Sequence, residues 1–177
     1  YYVKSEILNT KSHGNIPQNR ERILIVGFLD KTVADKFSFP EEVKLDRKIK
    51  DFLETDVSDK YYYHGKPLYD KLKKDVKKKN TAYQWRRRYV RENKSGVVPT
   101  LTANMGTGGH NVPIILDDKG IRKLTPKECF VFQGFPKTYK LPEIADSKLY
   151  KQAGNSVSVT VIERVANNIK KALENGN

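Results

Sequence analysis

The run Ile23-Leu24-Ile25-Val26-Gly27-Phe28 constrains the fold of this 177-residue chain more than any other stretch. Its apolar positions follow one another without a polar break, and Ile23, Ile25 and Val26 are β-branched. Such side chains pack well on a pleated surface. A continuous run, as opposed to an alternating one, suits an interior strand covered on both faces. Ahead of it, Val3 to Leu8 reads as a shorter extended stretch, and Asn9 to Asn19 as polar, turn-rich chain. Residues 1–29 therefore read as an α/β fragment.

Beyond residue 29 the composition changes. From Lys60 to Lys94 there are 13 Lys and Arg against three acids (Asp70, Asp75 and Glu92), so most of the net charge of +13 sits in one segment. That is an electrostatic footprint for a polyanion. Ile49, Phe52 and Leu53 give one short helical face in this basic zone, and Leu68, Tyr69, Leu72 and Val76 another. A membrane is not an expected partner, because no apolar run approaches the roughly 20 residues of a spanning helix. One cysteine, Cys129, excludes an internal disulfide framework and fits a reducing, cytoplasmic setting. The length suits one domain, or one domain with a small appendage. The chain opens Tyr1-Tyr2-Val3 and holds its single methionine at Met105, as expected of a piece of a longer polypeptide.

The C-terminal part carries the clearest local signals. Thr125-Pro126-Lys127-Glu128 is a capping box, with Thr125 as N-cap, Pro126 in the first helical position and Glu128 reaching back. Gly134 and Pro136 end that helix. Val161, Val165, Ile169 and Leu173 recur every four residues, which predicts an amphipathic helix with Lys170 and Lys171 at its C-terminal end.

Several residues carry candidate chemistry. Arg20 and Arg22 flank Glu21 just ahead of the apolar run. Leading into the strand, they are expected on opposite faces, one entering a pocket at the strand edge and the other serving structure or a backbone phosphate; guanidinium groups suit base carbonyls and anions. Trp85-Arg86-Arg87-Arg88-Tyr89-Val90-Arg91 interleaves aromatic rings with guanidinium groups, as expected where phosphates and base edges are contacted together. Lys73, Lys74, Lys77, Lys78 and Lys79 look like a helix face giving phosphate attraction without sequence readout. Asn104 to His110 is glycine-rich between two extended runs and reads either as a flexible hairpin tip or as a loop facing DNA. It lacks the Gly-Lys-Ser/Thr ending of a phosphate-binding Walker loop, and no Cys/His spacing points to a metal.

In order along the chain, three segments resemble motifs of the DNA (cytosine-5)-methyltransferases. Ile16-Pro17-Gln18-Asn19-Arg20-Glu21-Arg22 is similar to motif VIII. Leu124-Thr125-Pro126-Lys127-Glu128-Cys129 through Gln133-Gly134-Phe135-Pro136 is similar to motif IX, and Tyr150-Lys151-Gln152-Ala153-Gly154-Asn155-Ser156-Val157 to motif X. Gly96 to Ala103 resembles the late part of a target recognition region. The resemblance implies an α/β fold: part of a Rossmann-like, S-adenosylmethionine-dependent methyltransferase domain with a small mixed α+β target recognition domain. Residues 1–29 would end the catalytic domain, 30–120 form the recognition domain, 121–136 the motif IX hinge helix, and 137–177 return to the catalytic domain.

The same resemblance implies a bacterial enzyme of restriction-modification type. It flips a cytosine from double-stranded DNA, attacks C6 with a cysteine thiolate and moves a methyl group from S-adenosylmethionine to C5. Gln18, Arg20 and Arg22 would line the target-base pocket, and Asn155, Ser156 and Val157 the cofactor pocket. Arg86, Arg87, Arg88, Tyr89, Arg91, Thr102, Asn104, Gly108, Gly109 and His110 would contact DNA. No Phe-x-Gly-x-Gly cofactor loop, Pro-Cys nucleophile loop or Glu-Asn-Val segment is present, and Cys129 falls within the motif IX helix, where a thiol is ordinarily inert packing. The isolated chain is thus expected to be inactive and to need an N-terminal catalytic half, in the same polypeptide or a separate subunit. The alternative is a stand-alone or degenerate sequence-specific DNA-binding module.

Overall fold

A computed structural model describes residues 1–107 and 111–176. The apolar run lies in β2 (Glu21–Phe28), paired antiparallel with β1 (Tyr2–Asn9) in a register that sets Ile7 opposite Ile23 and Ser5 opposite Ile25. Between the strands sits a short helix, α1 (Thr10–Gly14), capped by the Asn9 side chain. One face of the ribbon is covered by α2 (Lys31–Lys36), by Phe37 and by the long helix α6 (Val159–Glu174); Leu8, Phe28, Val33, Val161 and Val165 make that core. The 16-residue α6 is the predicted C-terminal amphipathic helix.

The other face differs from the expectation of two-sided burial. Val3, Ile7, Ile23 and Ile25 are 59 to 66% exposed, because no described element lies over them. A two-stranded ribbon is marginal in water and gains stability from a layer packed against it; here that layer exists on one side only.

A second core joins segments between Ile16 and Ala153. Ile16, the 3₁₀ turn Ile49–Phe52, Tyr61, Val98, Leu101 and Met105 pack on α4 (Pro126–Phe132) and α5 (Asp146–Asn155). The predicted capping box starts α4: the Thr125 hydroxyl accepts from the Glu128 amide at 3.0 Å, and the Glu128 carboxylate accepts from the Thr125 amide at 2.8 Å. Glu128 also binds Arg122 through two 2.8 Å bonds, and neither side chain is exposed. Arg122 reaches Asp117 as well, at 2.5 Å. Against the burial that lowers it, Glu128 and then Asp117 hold the Arg122 guanidinium above its ordinary range. Gly134, at φ +92°, ends α4 in a conformation that favours glycine.

The basic middle zone holds a four-stranded antiparallel sheet in the order β4-β3-β5-β6, from β3 (Ala82–Arg86), β4 (Tyr89–Asn93), β5 (Ile114–Leu116) and β6 (Ile121–Lys123). Tyr83, Ile114 and Ile121 cover it on one side together with Leu72 and Val76 of the α3 (Tyr69–Asp75) segment. Because α3 stops at Asp75, Lys77, Lys78 and Lys79 lie beyond it and do not extend the lysine face of Lys73 and Lys74. Lys78 instead pairs with Glu92 of β4 at 3.0 Å.

Candidate functional site

Residues 17–20 run beside residues 98–101, joined by the Asn19 amide on the Val98 carbonyl at 2.9 Å and the Val98 amide on the Pro17 carbonyl at 2.7 Å. This seam separates two concavities. The first is a cavity of about 270 Å³ between the start of β2 and the start of α6. Arg20 and Arg22 both line it, with Asn155, Ser156, Val157 and Ser158 across from them. The expectation of opposite faces is thereby corrected: two residues apart in extended chain, the arginines share a face, and what divides them is depth.

Arg20 is 5% exposed and donates to three carbonyls: Leu101 at 2.7 Å, Ser156 at 2.8 Å and Gly154 at 3.4 Å. Burial, and then the neighbouring charge of Arg22, lower it to about 10. It is thus a clamp joining three segments. Arg22 is exposed, its only described side-chain hydrogen bond being to the adjacent Glu21 carbonyl, and its guanidinium is available to a ligand. Gln18 lies behind the cavity and not in it. It is fully buried, giving its amide hydrogens to the Phe132 carbonyl and Gln133 and accepting from the Leu101 amide at 3.1 Å. Gln18 was expected at the target-base pocket with Arg20 and Arg22, but its polar atoms are taken up by the chain itself.

The second concavity is a polar cleft of about 420 Å³ between the seam and the β3–β4 hairpin. Arg86, Arg91, Thr102 and Asn104, all expected at DNA, line it. So do Asn19, Gln84, Asn93, Ser95 and Asn111, which were not singled out from the sequence. For Gln84 the signal was present as period-two alternation: Ala82, Gln84 and Arg86 point to one side and Tyr83 and Trp85 to the other. Arg87 and Arg88 form the hairpin tip and do not line the cleft, and Tyr89 is 61% exposed. Gly108, Gly109 and His110 lie outside the described residues.

A family profile, C-5 cytosine-specific DNA methylase, matches residues 1–171. The chain belongs to that family. Among its relatives, the Type II methyltransferase M.Bsp6I of Bacillus sp. (strain RFL6) is 54% identical over 177 residues, covering 98% of this chain and 56% of that protein. M.DsaV of Dactylococcopsis salina is 35% identical over 168 residues, covering 93% of this chain and 47% of that protein. The chain therefore spans about half the length of the relatives it matches. In fold it is similar to the Entamoeba histolytica methyltransferase EhMeth (TM-score 0.73, 18% identity, 97% of this chain and 54% of that one). It is also similar to the S. pombe Dnmt2 methyltransferase (TM-score 0.65, 18% identity, 97% and 58%). The mixed α/β architecture is that of the methyltransferases.

Within this family member, Cys129 is fully buried in α4, and burial followed by the nearby Glu128 charge pushes its thiol well above the ordinary range. A buried, protonated thiol is packing and not a nucleophile. Among the described residues no cluster could hold a metal ion, and no helix is long and apolar enough to cross a membrane.

Proposed function

We propose that this chain is the DNA-recognising, C-terminal portion of a DNA (cytosine-5)-methyltransferase of restriction-modification type, acting on double-stranded DNA together with a catalytic half that carries the nucleophilic cysteine. One observation carries the reading. Arg22 and the Asn155–Val157 segment, far apart in sequence, meet at one cavity that Ile23 of the bare face of the β1–β2 ribbon also lines.

In this arrangement Arg22 donates hydrogen bonds to the flipped cytosine, where a fixed cation stabilises charge developing on the ring. Arg20 holds the wall in place by fixing the Leu101, Gly154 and Ser156 carbonyls. Asn155, Ser156 and Val157 form one wall for S-adenosylmethionine, which supplies the methyl group. The cavity fits a part of such a ligand: its mixed polar and apolar lining is suitable, but about 270 Å³ is small beside the roughly 300–1,000 Å³ of most ligand sites. The rest of the pocket comes from the catalytic half, packed on Val3, Ile7, Ile23 and Ile25. An uncovered apolar patch of that kind marks an interaction surface.

The alternative, a binding module without activity, has no use for an exposed Arg22 poised at such a cavity. Mixing the chain with a separately produced catalytic half of a close relative and measuring methyl transfer to DNA tests the proposal. Restored transfer, lost on Arg22→Ala and on Ile25→Lys, is the expected result. Salt-sensitive DNA binding with no rescue of transfer would support the module instead.

A further inference from the structure

The polar cleft sorts the arginines of the basic segment into two groups. In the β3–β4 register Gln84 stands opposite Arg91, and Arg86 opposite Tyr89. Directly opposed residues of an antiparallel pair share a face, so Gln84, Arg86 and Arg91 lie together on the cleft side. The reverse side carries Tyr83, Trp85 and Val90, which pack into the core. Arg87 and Arg88 make the turn itself. The Arg88 amide donates to the Arg86 carbonyl at 2.6 Å across Arg87, whose φ is +59°. That is a tight three-residue turn, and it keeps both side chains at the tip, outside the cleft.

The cleft is also chemically biased. Arg86 donates to the Gln84 side-chain oxygen at 3.0 Å. A guanidinium has donors and no acceptor, so the amide must turn its oxygen toward Arg86, and its two N–H groups remain to face outward. Arg91 adds five further donors. None of the described residues lining the cleft is acidic, and the acid of β4, Glu92, is on the opposite face and paired with Lys78. Gln84, Arg86 and Arg91 therefore present donors side by side on the hairpin face of the cleft. In the major groove, which admits a two-stranded ribbon, the base edge that offers two acceptors side by side is guanine, through O6 and N7.

We infer that Gln84, Arg86 and Arg91 are the specificity-determining residues of this chain and read guanine, while Arg87 and Arg88 hold the DNA backbone. This deepens the proposed function and rests on it. The test is selection of bound duplexes from a randomised library by the full chain, alongside Arg86→Ala, Arg91→Ala, Arg91→Lys and Arg88→Ala. All four variants change exposed side chains, and unchanged thermal melting checks their folding.

Arg86→Ala and Arg91→Ala should each lower the preference for guanine at one base pair on the order of tenfold or more. Arg91→Lys, which keeps the charge and loses the planar fork, should not restore it. Arg88→Ala should weaken cognate and scrambled duplexes equally and flatten the salt dependence. The assignment is overturned if Arg86→Ala and Arg91→Ala select the same sequence as the unaltered chain, or if Arg91→Lys selects it fully. If the unaltered chain enriches no sequence, the broader reading of it as a recognition portion falls, and this assignment with it.

Discussion

Gly154→Ala is the substitution that sets the largest opposing effects against one another. Gly154 is in α5, where an alanine would gain about 1 kcal/mol of helix propensity. It also faces the backbone of residues 102 and 103. A Cβ built on it lies 2.1 Å from the Thr102 carbonyl carbon, 2.2 Å from that oxygen and 2.4 Å from the Ala103 nitrogen, where ordinary contact starts at 3.4 Å. To reach ordinary contact these backbone atoms must retreat by an ångström or more, and they are not free to do so. Leu101, next to them, is fixed by the Arg20 guanidinium on its carbonyl and by Gln18 on its amide. Overpacking costs typically about 1–3 kcal/mol, with rigid neighbours toward the upper end. The net expectation is a loss of about 2 kcal/mol, or about 4–8 °C in Tm for a chain of this size. Urea unfolding and thermal melting measure it, with Gln152→Ala, exposed on the same helix, as a control within about 0.5 kcal/mol of the parent. A Gly154→Ala chain as stable as the parent, or more so, would refute the close-approach argument in favour of helix propensity.

Glu128→Ala should cost about 3–5 kcal/mol in urea unfolding, because it takes from Arg122 its fully buried carboxylate partner and leaves Asp117 as the remaining one. Arg20→Ala leaves three carbonyls without their donor and should destabilise by about 1–3 kcal/mol. Arg22→Ala, at an exposed position, should stay within about 0.5 kcal/mol of the parent yet abolish methyl transfer in the complemented enzyme. Burial raises the Asp117 carboxyl, but hydrogen bonds from Arg122 and Tyr62 outweigh it and hold the group below its ordinary value. Its stabilisation is therefore present above about pH 4 and lost as pH falls through the folded-state value. Unfolding midpoints followed downward from about pH 5 should drop less steeply for Asp117→Asn than for the parent.

Several features were legible because they depend on neighbours a few residues away. The capping box of Thr125 and Glu128, the period of α6 and the extended character of β1 and β2 are local patterns, and the structure reproduces them. The three motifs in order pointed to a cytosine-5 methyltransferase, and the family match over residues 1–171 agrees. The lysine helix was read too long, since lysine composition does not mark where Asp75 ends α3.

The apolar run from Ile23 to Phe28 shows where the division lies. Its composition alone determined that it would be a strand and that it would seek cover on both faces, because side-chain hydrophobicity and β-branching are properties of the residues themselves. Which cover it receives depends on what else the chain brings near, and here that is α2 and α6 on one face and nothing described on the other. The same holds for the arginines. Sequence placed Arg20 two residues from Arg22 and Arg86 next to Arg87, with identical side chains. Only tertiary packing buried one and exposed the other, and only strand register turned Arg86 into the cleft and left Arg87 at the tip. A guanidinium's role is set by the dielectric and the partners around it, and those come from segments more than 80 residues distant, such as Leu101 and Ser156 for Arg20.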